Sequence, residues 1–279
     1  MATLLAKFAF DYTQLDLSGL GDAHDWGFED NANITLNGIK YEDVVWFEEF
    51  PAGEAVGFAG TGITINGEQV TGGTVTGVVA EHWNGTNWIK DWYLQGISVP
   101  AVSLYNAALT PSVADDMSLV SKALSGADTF MLSNFNDRMR GFGGNDLLAG
   151  KAGNDTLAGD GGNDTLCGGT GSDILTGGAG SDVFDFNLAT ESSNAKRDVI
   201  TDFVRGMDKI DLSGIDANPA TATNQAFAGF IKAGAEFTRA GQLKFVDGVL
   251  FGNTDSDSAA EFAIVLTGVT NLSAADLVL

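Results

Sequence analysis

The chain has 279 residues, 37 of them acidic and 14 basic, for a formal net charge of −23. So large an excess of carboxylates repels nucleic acid and anionic lipid and argues against both as partners. The single cysteine, Cys167, excludes an internal disulfide, and no apolar run approaches the length of a membrane span.

Residues 1–109 read as mostly β. VVWFEEF, GITINGEQV with a turn at Asn66-Gly67, GTVTGVVAEHW and NWIKDWYLQGISV are strand-like runs separated by glycine and Asn-Gly pairs. One helix is expected from Pro111 to about Leu124. Thr110 can cap it, Pro111 suits its first position, and Asp115 and Asp116 lie near its positive end. The spacing predicts a β-sandwich-like or jelly-roll-like domain ending in a linking helix, over residues 1–122. This stretch carries 16 acidic and 4 basic side chains, so its acidity is independent of any repeat chemistry. Met1–Phe10 contains Lys7 but no long apolar run and no small-residue cleavage site, unlike a Sec signal.

Enzymatic chemistry finds little footing here. No His-Glu-x-x-His or Gly-x-Ser-x-Gly is present, and His24 and His82 are the only histidines. His24 lies among Asp22, Asp25, Glu29 and Asp30, a group that reads either as a solvated acidic loop or as a cation site. With Glu48 and Glu49 it could also hold paired carboxylates for glycoside chemistry. Trp83, Trp88, Trp92 and Tyr93, joined by Trp26 and Trp46, read either as core aromatics or as a sugar-stacking face.

The middle of the chain is a repeat. Aspartates recur every nine residues at Asp128, Asp137, Asp146, Asp155, Asp164, Asp173 and Asp182. Two residues after each stands an apolar side chain: Phe130, Met139, Leu148, Leu157, Leu166, Leu175 and Phe184. A glycine precedes each aspartate by two, except at Phe135. The units from Gly141 to Asp185 read GFGGNDLLA, GKAGNDTLA, GDGGNDTLC, GGTGSDILT and GGAGSDVFD. Glycines at positions one and four allow six residues to turn tightly, and the last three residues form a short strand with its middle side chain inward. Each unit then buries one side chain, worth about 1.5–3 kcal/mol. Ordering nine residues costs about 1–2 kcal/mol apiece, and the stacked carboxylates repel. A cation between the turns is therefore required. Carboxylate and carbonyl oxygens suit calcium, and no Cys/His set is present for a softer metal. Cys167 occupies position nine, where it is expected to face outward.

These units resemble the RTX nonapeptide repeat, GGxGxDx-apolar-x, of hemolysin-type calcium-binding proteins, which forms a parallel β-roll with two nonapeptides per turn. The resemblance implies Ca²⁺ ions between unit n and unit n+2, with Asp146, Asp164 and Asp182 along one edge and Asp155 and Asp173 along the other. It further implies carbonyl ligands at Phe142, Gly144, Lys151, Gly153, Asp160, Gly162, Gly169, Gly171, Gly178 and Gly180. The first two units depart from the pattern: Leu132 and Phe135 replace glycines in one, and Ala123 and Leu124 end a helix in the other. Both are read as a cap with weak or absent calcium.

The stretch from Glu191 through RDVITDFVRGMDKIDLSGID resembles the tail that closes the roll in serralysin-type secreted proteins. That likeness implies ligands at Glu191, Asp198 and Asp208, although the first is more usually aspartate. Further on, GQLKFVDGVLFGN is a hairpin with its turn at Asp247-Gly248. Asn253–Phe262, NTDSDSAAEF, has the alternating acidic pattern of a calcium loop in Asp255 and Asp257. It lacks the glycine of the sharp bend, so a solvated turn is expected. The closing Asp276-Leu277-Val278-Leu279 resembles the C-terminal signal of type I secretion substrates.

The expected organisation is all-β: residues 1–122, a β-roll over 123–190, and a C-terminal β cap over 191–279. The resemblance implies about three to seven calcium ions, each in a hard oxygen shell. The expected protein is secreted, extracellular or held at a bacterial cell surface, exported by a type I exporter and folded on extracellular calcium. Its N-terminal domain would bind polysaccharide or another surface ligand. A small polysaccharide-active enzyme and a calcium-assembled structural protein remain the alternatives.

Overall fold

The computed structural model describes residues 3–6, 25–29, 34–36, 39–41, 43–49, 54–66, 69–84, 86, 88–108 and 113–279. The chain divides into two compact units, Met1–Thr129 and Phe130–Leu279.

The first unit is built on antiparallel strands: β1 (Thr3–Ala6), β2 (Asp25–Glu29), β3 (Ile34–Leu36), β4 (Ile39–Tyr41), β5 (Asp43–Glu49), β6 (Glu54–Asn66), β7 (Gln69–Trp83) and β8 (Trp88–Pro100). Six of these form one sheet in the order β2-β5-β6-β7-β8-β1, and β3 and β4 form a separate hairpin. β6 and β7 pair down to Asn66 opposite Gln69, where the Asn-Gly turn was expected; Gly67 and Glu68 themselves lie outside the described residues. Strands this long pair across short links because antiparallel neighbours need only a tight turn. Gly60 sits at a register shift between β6 and β7, where a Cβ would collide with the Thr74 carbonyl. Phe58, Ala59, Val75, Val78, Val79, Ile97 and Val99 are buried. Consecutive burial at Val78 and Val79 means that both faces of β7 are covered, since neighbouring side chains point to opposite faces.

Two helices follow, α1 (Ala101–Ala108) and α2 (Val113–Ala123). α2 occupies the expected segment, whereas α1 was not anticipated. Its sequence AVSLYNAA is rich in alanine, the strongest helix former, and starts directly after Pro100 ends β8. Thr110 and Pro111, the expected cap and first residue of the linking helix, lie outside the described residues. So do His24, Asp22 and Asp30, and the side chains of Asp25, Glu29, Glu48, Glu49, His82, Asp115, Asp116 and the five tryptophans.

The second unit is a parallel roll of two facing sheets. One contains β9 (Thr129–Met131), β11 (Leu147–Ala149), β13 (Thr165–Cys167), β15 (Val183–Asp185), β17 (Lys209–Asp211) and β22 (Leu277–Val278). The other contains β10 (Arg138–Arg140), β12 (Thr156–Gly161), β14 (Ile174–Ala179), β16 (Val199–Ile200) and β21 (Phe262–Leu266), extended by β20 (Val249–Asn253), β19 (Gln242–Val246) and β18 (Gly229–Phe230). Leu148 stands opposite Leu166 and Met139 opposite Leu157, each 18 residues on, so two nonapeptides make one turn. The inward column is Phe130, Leu148, Leu166, Phe184, Ile210 and Leu277 on one side and Met139, Leu157, Leu175, Ile200 and Leu266 on the other, all buried.

Beyond the repeats the coiling continues. Ile174 pairs with Val199 and Val199 with Val265; Val183 pairs with Lys209, and Ile210 with Leu277. The tail therefore adds two rungs to each sheet, with longer excursions between them. The terminal Asp-Leu-Val-Leu contributes the last of these rungs. The hairpin expected at Asp247-Gly248 joins β19 to β20, with φ of 49° and 80° at the two turn residues. Both being positive is the signature of a type I′ turn.

Candidate metal centre

The turns between the short strands carry the site, and their glycines have two distinct duties. Positive φ falls at position two (Phe142, Lys151, Asp160, Gly169 and Gly178) and at position four (Gly144, Gly153, Gly162 and Gly180). Positions one and four were expected to need this freedom. Position one is glycine for a different reason: a Cβ on Gly159 would overlap Asp164 Oδ2 and the Gly177 carbonyl, and one on Gly150 would overlap Asp155 Oδ2 and the Gly168 carbonyl. That glycine clears room for the aspartate five residues later. At positions two and four, the carbonyls of Lys151, Asp160, Gly144, Gly153 and Gly162 face Gly169, Gly178, Gly162, Gly171 and Gly180 of the following turn so closely that no Cβ fits between them. The expected carbonyl ligands thus lie in stacked columns along the roll.

The aspartates form two ladders. On one edge the Asp146 backbone N–H donates to Asp164 Oδ1 at 2.8 Å, that of Asp164 to Asp182 at 2.9 Å, and that of Asp182 to Asp208 at 3.1 Å. On the other edge Asp137 donates to Asp155, Asp155 to Asp173 and Asp173 to Asp198, at 2.7–2.8 Å. The division of the repeat aspartates between two edges is the expected one, and Asp198 and Asp208 extend both ladders. All these carboxylates are buried. One oxygen of each is thus satisfied by the preceding turn.

The second oxygen is not. Oδ2 of Asp155, Asp164, Asp173, Asp182 and Asp198 is buried without a hydrogen-bond donor. Burial pushes the acids up, to about 7 for Asp155, about 6 for Asp173 and Asp182, and about 8 for Asp198, with neighbouring carboxylates adding to the rise. Asp164 is raised for the same primary reason. Backbone N–H donors offset part of each shift. A row of desolvated carboxylate oxygens with no donor, beside columns of carbonyls, is a hard, oxygen-only set fitted to Ca²⁺.

The ends of the ladders differ. Asp137 Oδ2 accepts from the Ser133 N–H and hydroxyl at 2.9 and 2.8 Å, and the Lys151 ammonium donates to the Leu132 carbonyl. Protein groups serve where calcium would otherwise be wanted, which fits this degraded unit's reading as a cap. At the far end Asp208 Oδ2 accepts from Val204 N–H at 2.7 Å, and the Asp198 N–H donates to Ser192 Oγ at 2.8 Å. Asp276 is held by Ser273, Arg205 and Gly206; these hydrogen bonds outweigh its burial and keep its acid below the ordinary value.

Glu191 is buried, with Oε2 accepting from Asn187 N–H at 2.8 Å. Its charge raises Asp173 and Asp198, so the tail glutamate stands beside the second ladder. Asp160 gives its side chain to Arg140 through two contacts of 2.7 Å, leaving its carbonyl in the stack. Cys167 is half-buried on the flank of β13; burial first, then Glu191 and Asp185, push its thiol up to about 12, which disfavours the thiolate form.

Two features escaped sequence reasoning. Position five forms its own ladder, with Asn136, Asn145, Asn154 and Asn163 side chains accepting from the backbone N–H 18 residues later at 2.8–3.0 Å. The recurring Asn at that position was the available signal. Asp202 accepts from Gly177 and Gly178 N–H at 2.9 and 2.8 Å, closing a loop that no further repeat covers. Its place outside the period gave no signal.

Among the described residues no helix is long and apolar enough to cross a membrane. No curated protein matches the sequence. Among solved structures, the chain is similar to the R2 subunit of the mannuronan C5-epimerase AlgE6 of Azotobacter vinelandii, at 28% identity and a TM-score of 0.37, covering 55% of this chain and 90% of that one. The R3 subunit of the same enzyme matches at 27% identity and a TM-score of 0.27, covering 55% of this chain and 78% of the other. A family model described as Peptidase M10 serralysin C terminal matches residues 114–279, more than half of the chain, and with its RTX β-roll the chain belongs to that family.

Proposed function

We propose that this is a secreted calcium-binding protein whose roll folds on extracellular calcium after passage through a type I exporter. In this reading residues 1–122 are a recognition unit for polysaccharide or another cell-surface ligand, 123–190 the roll and 191–279 its C-terminal cap. The observation that carries the calcium part is the row of buried Oδ2 atoms lacking a donor along both ladders. The carboxylates of Asp146, Asp155, Asp164, Asp173, Asp182 and Asp198, with Glu191 and Asp208 at the tail end, would hold the ions. The position-two and position-four carbonyls, Gly169, Gly171, Gly178 and Gly180 included, would complete the shells. Bound Ca²⁺ supplies the positive charge that desolvated carboxylates otherwise lack. The chain's own part is to align the oxygens through the 18-residue register and to exclude water with the inward Leu and Phe column.

Extracellular calcium modules bind with dissociation constants of about 10⁻⁴–10⁻³ M. Millimolar calcium then favours the fold outside the cell, at about 1 kcal/mol per site, and submicromolar calcium inside does not. The test is a calcium titration followed by circular dichroism on the full chain. Growth of β-structure at submillimolar to millimolar calcium supports the reading, and an identical spectrum in chelator sinks it. A glycan array probed with residues 1–122 tests the recognition half, where no binding to any glycan would refute polysaccharide as the ligand.

A further inference from the structure

Position two of the five full nonapeptides has left-handed backbone throughout, and the two ends of the roll fill it differently. Its φ is 69° at Phe142, 74° at Lys151 and 71° at Asp160, then 88° at Gly169 and 100° at Gly178. Glycine takes that conformation freely, whereas a residue with a Cβ is held in it at a cost. Three strained residues in consecutive units, followed by two glycines, need an offsetting contact from their side chains.

Such contacts are present. The Arg140 guanidinium donates through Nε and Nη2 to the two oxygens of Asp160, both at 2.7 Å, a fork stronger than a single surface ion pair. The Phe142 N–H donates to Asp160 Oδ2 at 3.2 Å, and the same guanidinium lies 5.5 Å from the centre of the Phe142 ring. Asp160 therefore fastens turn 159–164 to turn 141–146. On the other edge the Lys151 ammonium donates to the Leu132 carbonyl and fastens turn 150–155 to turn 132–137. Neither clamp uses an oxygen assigned above to calcium.

The clamps cannot recur further along. A Cβ at Gly169 or Gly178 would overlap the Lys151 or Asp160 carbonyl, so turns 168–173 and 177–182 carry no side chain at this position. Asp202 does meet Gly177 and Gly178, but it comes from the tail. That tail is closed by contacts as distant as Arg205 with Asp276, 71 residues apart, against 19 and 20 for the two clamps. Short loops close at a lower entropic cost than long ones.

We propose that Arg140, Lys151 and Asp160 are positioning residues for calcium, clamping the first turns so that this end of the roll loads and orders at lower calcium than the far end. The inference rests on the calcium reading of the ladders. Clamped turns restrict their oxygens in part, so less entropy remains to be lost when an ion binds. Calcium-driven folding then has a direction, from β10 towards β15.

The test follows amide hydrogen exchange of the full chain, strand by strand, along a calcium titration. Protection of β10, β11 and β12 is expected at several-fold lower calcium than that of β14 and β15. Equal midpoints overturn the proposal. K151G/D160G then sets two effects against each other, because glycine removes the clamps and relieves the backbone together. The three strands are expected to lose their lead in this variant. A lead that persists or widens shows that the side chains bring only strain, and overturns the proposal. Should that variant order at no calcium concentration, R140A decides, since it leaves the position-two backbone untouched; a shrunken lead sustains the proposal and an unchanged one overturns it. Protection of the whole roll in chelator would overturn the calcium reading and this inference with it, whereas equal midpoints overturn the inference alone.

Discussion

The two units reach order by different routes. In the N-terminal unit one strand, β7, buries Val75, Val78 and Val79 over 15 residues, and its neighbours add Phe58, Ala59, Ile97 and Val99. In the roll each nine-residue unit buries one large side chain on the inward column, while its aspartate is buried beside it. The first arrangement is a hydrophobic core whose strands pair over long antiparallel registers interrupted by a few shifts. The second places charge inside and leaves Oδ2 of Asp155, Asp164, Asp173, Asp182 and Asp198 without a donor. On the reading proposed above, burial of apolar surface holds the first by itself, whereas the second is held only when a cation meets its carboxylates.

The largest effect expected from breaking this contrast comes from the ladders. D164A/D173A removes one carboxylate from each edge and should raise the calcium midpoint of roll folding at least about tenfold, as loss of hydrogen-bonded charged ligands does. Circular dichroism during calcium titration reads it, and an unmoved midpoint would contradict the assignment. Next comes G162A. Its φ is +133° and a Cβ would overlap the Gly144 carbonyl, whereas Gly206, with φ of +80°, has open space around it. Urea unfolding in calcium should show G162A losing several-fold more stability than G206A, whose cost is about 1–2 kcal/mol. Equal losses would mean that the loops do not stack this tightly.

Removing the inward side chain is the third level. L166A should cost about 2–5 kcal/mol and raise the calcium midpoint. V79A, in the other unit, should lower the stability of that unit and leave the midpoint alone. A midpoint that moves in V79A would show that the two units fold as one.

The fourth is pH. The calcium-free folded roll holds its carboxylates above the ordinary 3.8, at about 6 to about 8 for Asp155, Asp173, Asp182 and Asp198. Folded chains then bind more protons than unfolded ones between about pH 4 and 8. Stability without calcium is fully present below that window and falls as pH rises through it. Calcium affinity runs the other way, because protons compete for the same oxygens. Circular dichroism in chelator should thus show more residual roll structure at pH 5 than at pH 8; the opposite order would contradict the burial of these groups. The smallest effect is N163A, which removes the acceptor for Ser181 N–H and should cost about 0.5–1.5 kcal/mol by urea titration. A loss above that range would give the Asn ladder a larger role.

Much of the roll was legible because period is the strongest signal a sequence carries. Asp155 and Leu157 reveal both the ladder and the inward column through recurrence, whereas the 18-residue pairing was implied by the resemblance to the RTX repeat and not by the period itself. What period cannot show is why a residue type recurs. Position-one glycines looked like turn residues, yet Gly159 is needed for the space taken by Asp164 Oδ2. Residues outside the period, such as Ser133, Ser192 and Asp202, close the ladders through contacts that only the folded chain brings together. The terminal tetrapeptide resembles an export signal in sequence, and nothing in that likeness showed that Leu277 forms a rung of the roll. In the N-terminal unit the strand runs were visible from β-branched and aromatic runs, but α1 was not, because eight residues are too few for a helical period to stand out.

The most direct test of the contrast is amide hydrogen exchange on the full chain, with and without calcium. The account predicts that amides of β11 to β15 are protected in millimolar calcium and exchange freely in chelator, while those of β6 and β7 keep the same protection in both. Persistent protection of the roll in chelator would contradict it, because the ladders would then be stable with their carboxylates unmet.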